Sequence, residues 1–363
     1  MKKYLILFYT IMIASSTFAQ EKTEISKALN NILKMDANND GIITRAEWNG
    51  KKETFTKLDQ NGDGVLTAED GLPLKIPLPQ NIKIEKDIVF KRINHTEIKF
   101  DRYILKGMKY ENAPAVIYIH GGGFMHGDKQ DILASAWFPV AKSLIEKGCI
   151  CFSINYRLAD KQKKHTILDC VTDCKDALRF IVKNAQEFGI DPSRIGVWGT
   201  SAGGHLALMM LLTADKLFPG DPELISYSSK ISCVVDWFGP TDFTEVNKWE
   251  ASIFPKEIQL QLFGVTAKEN LELYKRLSPI VYLSDKAGPI LVIHGDKDST
   301  VNVSQARRFL AEGKKKGAII EYVEVTNAKH RFLPQGGTMS MSQDAINQKT
   351  IEFIFNYVSY RKE

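Results

Sequence analysis

Apolar and polar positions change rhythm several times along this chain. Nearly continuous apolar runs of strand length occur at Ala115–His120, Cys149–Ile154, Arg194–Gly199, Ile231–Phe238, Pro289–Gly295 and Ile319–Val325. Between and after them lie stretches with apolar residues at helical spacing: 134–147, 167–188, 202–214, 303–316 and 341–359. Strands that lack polar alternation are buried on both faces. The pattern therefore predicts an α/β fold, a mostly parallel sheet with helices on each side. Ile88–Ile93 and Glu97–Leu105 read as two antiparallel strands ahead of it, which makes the sheet mixed. Residues 241–287 break the alternation, are rich in aromatics and are helical in part; they are expected to form a cap insertion.

The N-terminal eighty residues follow other rules. Lys2 and Lys3, a short apolar run from Tyr4 to Ala14 and the small-x-small triplet Thr17-Phe18-Ala19 read as a secretory leader of bacterial type over 1–19. The run is short for a membrane span and no cysteine lies near the cleavage point, so no stable membrane anchor is expected. This places the mature protein outside the cytoplasm, secreted or periplasmic. Residues 71–80, with three prolines, read as a semi-rigid linker between a small unit at 20–70 and a large domain at 81–363.

The small unit carries a near repeat. Asp36, Asn38, Asp40, Ile42, Thr44 and Glu47 stand at positions 1, 3, 5, 7, 9 and 12 of a twelve-residue loop whose sixth residue is Gly41. A hard cation needs six to eight oxygens, and this spacing supplies them from one EF-hand loop, Ile42 through its backbone carbonyl. Asp59, Asn61, Asp63, Val65, Thr67 and Asp70 repeat the pattern with Asp70 in place of the closing glutamate, one methylene shorter. A helix over 48–58 is expected between the loops. The segment resembles bacterial EF-hand pairs, dockerins included, which implies structural Ca2+ and a unit that offers a surface for protein docking.

Composition narrows the rest. With 44% hydrophobic and 25% charged residues the chain is of ordinary globular type. Its net charge of +5 falls to +3 when Lys2 and Lys3 leave with the leader, and the charges are interleaved, so no nucleic-acid partner is implied. Five cysteines without a CxxC spacing read as small buried residues rather than as a disulfide framework.

Three motifs carry chemistry. Gly199-Thr200-Ser201-Ala202-Gly203 follows an apolar strand and opens an Ala/Leu-rich helix, the setting of a nucleophile elbow with Ser201 at its tip. His120-Gly121-Gly122-Gly123-Phe124 follows the Ala115 strand. Its glycines let backbone amides approach a substrate, and Gly122, Gly123 and Ala202 are assigned as the oxyanion hole. His294 to Val301 (HGDKDSTV) follows a further strand. In this fold the order is serine, acid, histidine, and of the seven histidines only His330 follows the acid. His330 is therefore the base. Asp298 is favoured over Asp296 as its partner because it lies further into the loop, leaving Asp296 as a turn former.

From about residue 90 to 360 the chain resembles the hormone-sensitive-lipase-like and bacterial feruloyl- and acetyl-esterase-like (BD-FAE-like) branch of the α/β hydrolases. The resemblance rests on HGGGF at 120–124, NYRL at 155–158, DPSRIGVWGTSAGGHLA at 191–207, DWFGPTDF at 236–243 and HGDKDSTV at 294–301. It implies an α/β-hydrolase fold and serine carboxylic ester hydrolysis through an acyl-enzyme, with no organic cofactor. The GPTDF stretch implies esters of sugars or polysaccharides, acetyl or feruloyl. KHRF at 329–332 and the EF-hand unit depart from that family. Other readings are a macrolide-type lactone esterase, a serine peptidase of the prolyl-oligopeptidase type, or a non-catalytic calcium-dependent docking protein. Arg157 with Asp173 reads as a structural ion pair, His205 as packing on its helix and Asp242 as a helix cap. Phe124, Trp137, Trp237 and Phe332 read as core or acyl-pocket lining.

Overall fold

The computed structural model describes residues 31–32, 34–37, 43–59, 66, 78–246 and 254–359. In the N-terminal part, α1 (Lys52–Leu58) buries Phe55 and Leu58 against Ile43 and Leu66. Ile43 and Leu66 exchange backbone hydrogen bonds of 2.8 and 2.9 Å in an isolated antiparallel bridge. Each is the eighth residue of its loop, so the two loops pair through equivalent positions. Thr44 and Glu47 cap one another: Thr44 N and Oγ1 donate to Glu47 Oε2 at 2.9 and 2.8 Å, and Glu47 N donates back to Thr44 Oγ1. The helix expected from 48 begins only at Lys52, because the Trp48 indole folds back to donate to Lys51 O at 3.1 Å. Asn38, Asp40, Ile42, Asn61, Asp63, Val65, Thr67 and Asp70 lie outside the described residues, as do the leader and most of the linker.

The large domain runs β1 (Ile82–Ile93), β2 (Thr96–Leu105), β3 (Ala113–Ile119), α2 (Phe138–Glu146), β4 (Ile150–Ile154), α3 (Ile167–Lys183), α4 (Ala185–Phe188), β5 (Ile190–Thr200) and α5 (Ala202–Leu212). It continues with β6 (Cys233–Trp237), α6 (Lys256–Phe263), α7 (Leu271–Arg276), β7 (Ile290–Gly295), α8 (Ser304–Lys316), β8 (Ile320–Val325) and α9 (Gln343–Ser359). The eight strands form one sheet in the order β1-β2-β4-β3-β5-β6-β7-β8. β1 and β2 are antiparallel to their neighbours, and the remaining strands are parallel.

The continuous apolar runs hide a two-residue alternation. Ala115, Ile117 and Ile119 of β3 face α3, α5 and α8, whereas Val116 and Tyr118 face α2 and α9. Both faces are covered, which is why the sequence shows no polar beat. An ion network clamps α3 to the antiparallel edge. Lys91 of β1 donates to Asp173 and Asp176 at 2.7 and 2.6 Å, and Arg157 grips Asp173 with Nε and Nη2 at 2.7 and 2.8 Å.

Residues 241–246 and 254–287 form the expected insertion, with α6, α7 and a 3-10 turn at Pro279–Tyr282. Its rings form a ladder: Phe243 to Phe263 at 5.2 Å and Phe263 to Tyr274 at 3.9 Å. Phe243 also meets His205 of α5 at 4.9 Å, so the insertion shares the core of the main domain. The helix expected over 167–188 is two. Asn184 turns its side chain back onto Phe180 O at 2.8 Å, and α4 closes at Gly189 with φ 69°. Asp242 does not cap a helix. Its Oδ1 accepts from Thr244 N and Oγ1 at 2.7 and 2.6 Å, and its Oδ2 meets Arg308 at 3.2 Å. Among the described residues no helix is long and apolar enough to cross a membrane.

Candidate active site

Ser201 stands between β5 and α5 with φ 53° and ψ −119°. That strained backbone is held from several sides. Ser201 N donates to Trp237 O at 2.8 Å across the end of β6. A Cβ on Gly199 would strike the Gly203 carbonyl, and one on Gly203 would strike Ile119 O at the tip of β3. Two glycines of the GTSAG motif are therefore demanded by contact, and the turn lifts the hydroxyl clear of the sheet.

Asp298 projects from the loop after β7. Its Oδ1 accepts from Thr300 N and Val301 N at 2.8 and 2.9 Å, and its Oδ2 lies 2.7 Å from His330 Nδ1. Burial works against its charge. His330 beside it and hydrogen bonds from His294 and His330 outweigh that penalty and hold the carboxyl well below the usual carboxylate range. Asp296 lies apart, with its backbone amide on Val325 O and its carboxylate 3.3 Å from Lys297.

His330 opens a short turn after β8, and its Nε2 lies 3.1 Å from Ser201 Oγ. Ser201, His330 and Asp298 thus form one hydrogen-bonded chain, as the sequence order required. The acid and histidine loops are sewn together by Asp296 N to Val325 O and Lys297 N to Ala328 O, at 3.0 and 2.9 Å. The Phe238 ring meets His330 at 4.7 Å and Phe332 at 4.8 Å. In KHRF, Arg331 takes the left-handed backbone (φ 66°) open to a glycine and lays its guanidinium over Trp137 at 5.3 Å.

The HGGGF segment curls beside the serine. Met125 N and His126 N both donate to Gly122 O, at 3.1 and 3.0 Å, while Gly122 and Gly123 take φ 106° and 61°. A Cβ at Gly122 would collide with the His126 carbonyl. The amides of Gly122, Gly123 and Ala202 find no acceptor among the described residues, as donors kept for a ligand would be. Ala202 is the first residue of α5, so helix geometry leaves its N–H unused.

Sequence reasoning gave Arg157 of NYRL its ion pair with Asp173 and left Asn155 and Tyr156 without a role. Asn155 Nδ2 donates to Asp128 Oδ2 at 2.9 Å, Tyr156 OH donates to His120 O at 3.0 Å, and Arg157 carries the Asp173 clamp. Tyr156 therefore braces the glycine loop, Asn155 braces the segment just after it, and Arg157 ties the NYRL turn to α3. Phe238 and Tyr156 are the positioning residues missed, and only their neighbourhood to recognisable motifs marked them. His205 is fully buried, donates from Nδ1 to Pro240 O (2.9 Å) and is pushed down to about 4 by desolvation, so it packs and does not titrate near neutrality. Trp237 is core: its Nε1 donates to Thr350 at 3.0 Å. Phe124 and Phe332 border the site; Trp137 lies beneath Arg331.

A mostly parallel, helix-flanked sheet with serine, acid and histidine at the carboxyl ends of its strands defines an α/β hydrolase. Residues 100–312, more than half of the sequence, match the BD-FAE family, and the chain belongs to it. Residues 32–50 and 51–70 each match the EF hand. Esterase LipQ of Mycobacterium tuberculosis is 32% identical over 224 residues, covering 61% of this chain and 50% of its own length. The isoprenylcysteine alpha-carbonyl methylesterase ICME of Arabidopsis thaliana is 29% identical over 230 residues, 61% of this chain and 51% of its own. The chain spans about half the length of the curated relatives it matches. Among solved structures, a truncated carbohydrate esterase from gut microbiota superposes with a TM-score of 0.64 at 22% identity, over 78% of this chain and 99% of that one. The bifunctional GH43-CE of Bacteroides eggerthii superposes with a TM-score of 0.62 at 27% identity, over 76% of this chain and 38% of that one.

Proposed function

We propose that this protein is a serine carboxylic ester hydrolase working through an acyl-enzyme. The observation that carries the reading is the chain Ser201–His330–Asp298, at 3.1 and 2.7 Å, beside three amides without acceptors. His330 Nε2 takes the proton of Ser201 Oγ as the oxygen attacks the ester carbonyl. Asp298 holds the imidazole in the Nδ1–H tautomer and stabilises the imidazolium. Charge developing on the carbonyl oxygen is met by Gly122, Gly123 and Ala202 N–H, each worth roughly 3–4 kcal/mol of barrier. His330 then gives its proton to the departing alkoxide. A water activated by the same nitrogen releases the acid and frees Ser201.

The substrates we assign are acyl esters of sugars or polysaccharides, acetyl or feruloyl. Support comes from the BD-FAE match, from the esterase relatives and from the likeness to the bifunctional GH43-CE of Bacteroides eggerthii at 27% identity. Purified protein offered acetylated xylan, feruloylated saccharides, short aryl esters and macrocyclic lactones should show its highest kcat/KM on the saccharide esters. A tenfold preference for a lactone would overturn the substrate and leave the triad standing. Cleavage of proline-terminated peptides with no ester turnover would overturn both.

The EF-hand unit is proposed to bind Ca2+ as a structural ion. The bridge between Ile43 and Leu66, the eighth residue of each loop, is the described feature that fits a paired EF-hand unit. Asp36, Thr44 and Glu47 would hold one ion and Asp59 would open the site for a second, each together with loop oxygens outside the described residues. The matches to this unit carry no partner, so no docking role is assigned. The leader supports export, and protein recovered from the periplasm or medium should begin at about Gln20.

A further inference from the structure

Asp298 serves two histidines. Besides His330 Nδ1 at 2.7 Å, its Oδ2 lies 3.2 Å from Nε2 of His294, the histidine that opens the HGDKD motif at the end of β7. The same Nε2 lies 2.7 Å from Val301 O. A backbone carbonyl only accepts, so Nε2 carries the hydrogen, and the tautomer of His294 is set by this geometry. Its Nδ1 has no partner among the described residues, and the side chain is fully buried. The single N–H is therefore given to Val301 O, with Asp298 Oδ2 as the second, longer contact of the same nitrogen. It closes a ring in which Val301 N donates to Asp298 Oδ1 at 2.9 Å.

That arrangement solves a mechanical problem. Two backbone amides hold Oδ1, and they fix the twist about Cβ–Cγ only as tightly as those two bonds hold; a contact on Oδ2 restrains the same twist from its other end. Such a second restraint keeps Oδ2 at a constant angle to His330. His294 is rigid enough to serve. β7 pairs with β6 and β8 on either side, with His294 itself in register with Glu324, and the ring is sealed from water. Of the charged groups, Asp298 lies in front of it. Asp236 of the neighbouring strand β6 has its Oδ1 on Gly239 N and its Oδ2 without a partner among the described residues.

We propose that His294 is a positioning residue of the reaction: its Nε2–H locks the Asp298 carboxylate in the rotation that presents Oδ2 to His330. The proposal rests on the ester-hydrolase reading above. It assigns a second histidine to the machinery, one that never touches substrate. A buried histidine whose only service was packing would be replaceable by any ring of its size.

Three measurements on the full-length protein test it. In protein labelled with 15N-histidine, the His294 ring should show the hydrogen on Nε2 and a bare Nδ1. The opposite tautomer in the folded enzyme would overturn the proposal without any variant. His294→Phe keeps the ring volume and removes the donor. We expect kcat to fall by on the order of tenfold to a hundredfold with KM within about twofold, the signature of a misoriented group rather than a lost binding contact. The far-downfield proton of the His330–Asp298 hydrogen bond should broaden or shift upfield in parallel. His294→Gln, whose Nε2 reaches the same two oxygens, should restore at least half of the lost logarithm of kcat. If His294→Phe turns over like the parent, or if His294→Gln is folded yet no better than His294→Phe, the positioning role is wrong. Should His294→Phe fail to fold, His294→Gln and the tautomer decide: a folded His294→Gln with kcat down a hundredfold overturns it. Ser201→Ala runs alongside. If Ser201→Ala keeps ester turnover, it is the hydrolase reading that fails.

Discussion

At the scale of single residues the site is a set of opposed demands resolved by contact. Ser201 keeps a backbone few non-glycine residues adopt, and Asp298 keeps a charge where burial disfavours one. Ser201→Ala should abolish ester turnover while leaving the melting curve within about 0.5 kcal/mol of the parent, because only the nucleophilic oxygen is lost. Asp298→Asn keeps the shape but presents an amide to His330, favouring the wrong tautomer; kcat should drop by about ten-thousandfold, measured on an aryl ester. Asp236 makes the contrasting case. Desolvation pushes its carboxyl up to about 7, against the pull of the hydrogen bond from Gly239 N. A raised acid pKa means the folded state holds a proton that the unfolded chain releases, so its contribution to stability declines as pH rises from about 4 towards 7. Asp236→Asn should therefore stabilise the protein at pH 8, by on the order of 1 kcal/mol or roughly 2–4 °C in Tm. The gain should vanish by pH 4.5, and thermal melts at the two pH values check the sign.

At the scale of elements, the strands were legible because double burial leaves an unbroken apolar run, and the motifs were legible because each sits where a strand ends. Local signals ran out where the structure depends on distant partners. Nothing near Asn184 announces that its side chain will turn onto Phe180 O and end α3 early, and Phe238 gains its role only when β6 and the His330 loop converge. The choice of Asp298 over Asp296 rested on depth in the loop; the structure sets Asp298 Oδ2 2.7 Å from His330 Nδ1 and Asp296 beside Lys297. The α3 clamp offers a test of element packing. Asp173 is fully buried between Lys91 and Arg157. Asp173→Ala would leave both cations without this partner and should cost about 3–5 kcal/mol in chemical denaturation. If it costs under 1 kcal/mol, the clamp is ornamental.

At the scale of the molecule, two cores divide the labour. Ile43, Phe55, Leu58 and Leu66 form a cluster of their own, while every element that positions the triad belongs to the sheet domain. Removal of residues 20–75 should leave kcat/KM on a small aryl ester within about twofold. A chelator should lower only the melting of the small unit, and loss of turnover restored by calcium would show that the units are coupled.

The left-handed backbone at the site also tells a protein engineer which libraries to build. Phe124, Phe238 and Phe332 take φ of 66°, 47° and 57°; the Phe238 ring meets His330, Phe332 packs on Phe238, and Phe124 packs on His205 of the helix that Ser201 opens. At such angles a branched Cβ collides with its own main chain, whereas glycine and asparagine fit readily. Randomised codons at these positions spend many clones on Val, Ile and Thr that the backbone rejects before any substrate is tested. A reduced alphabet of glycine, asparagine, histidine and the aromatics searches the same wall of the pocket with few wasted colonies, and sequencing of folded survivors from a fully random pool should show that skew directly.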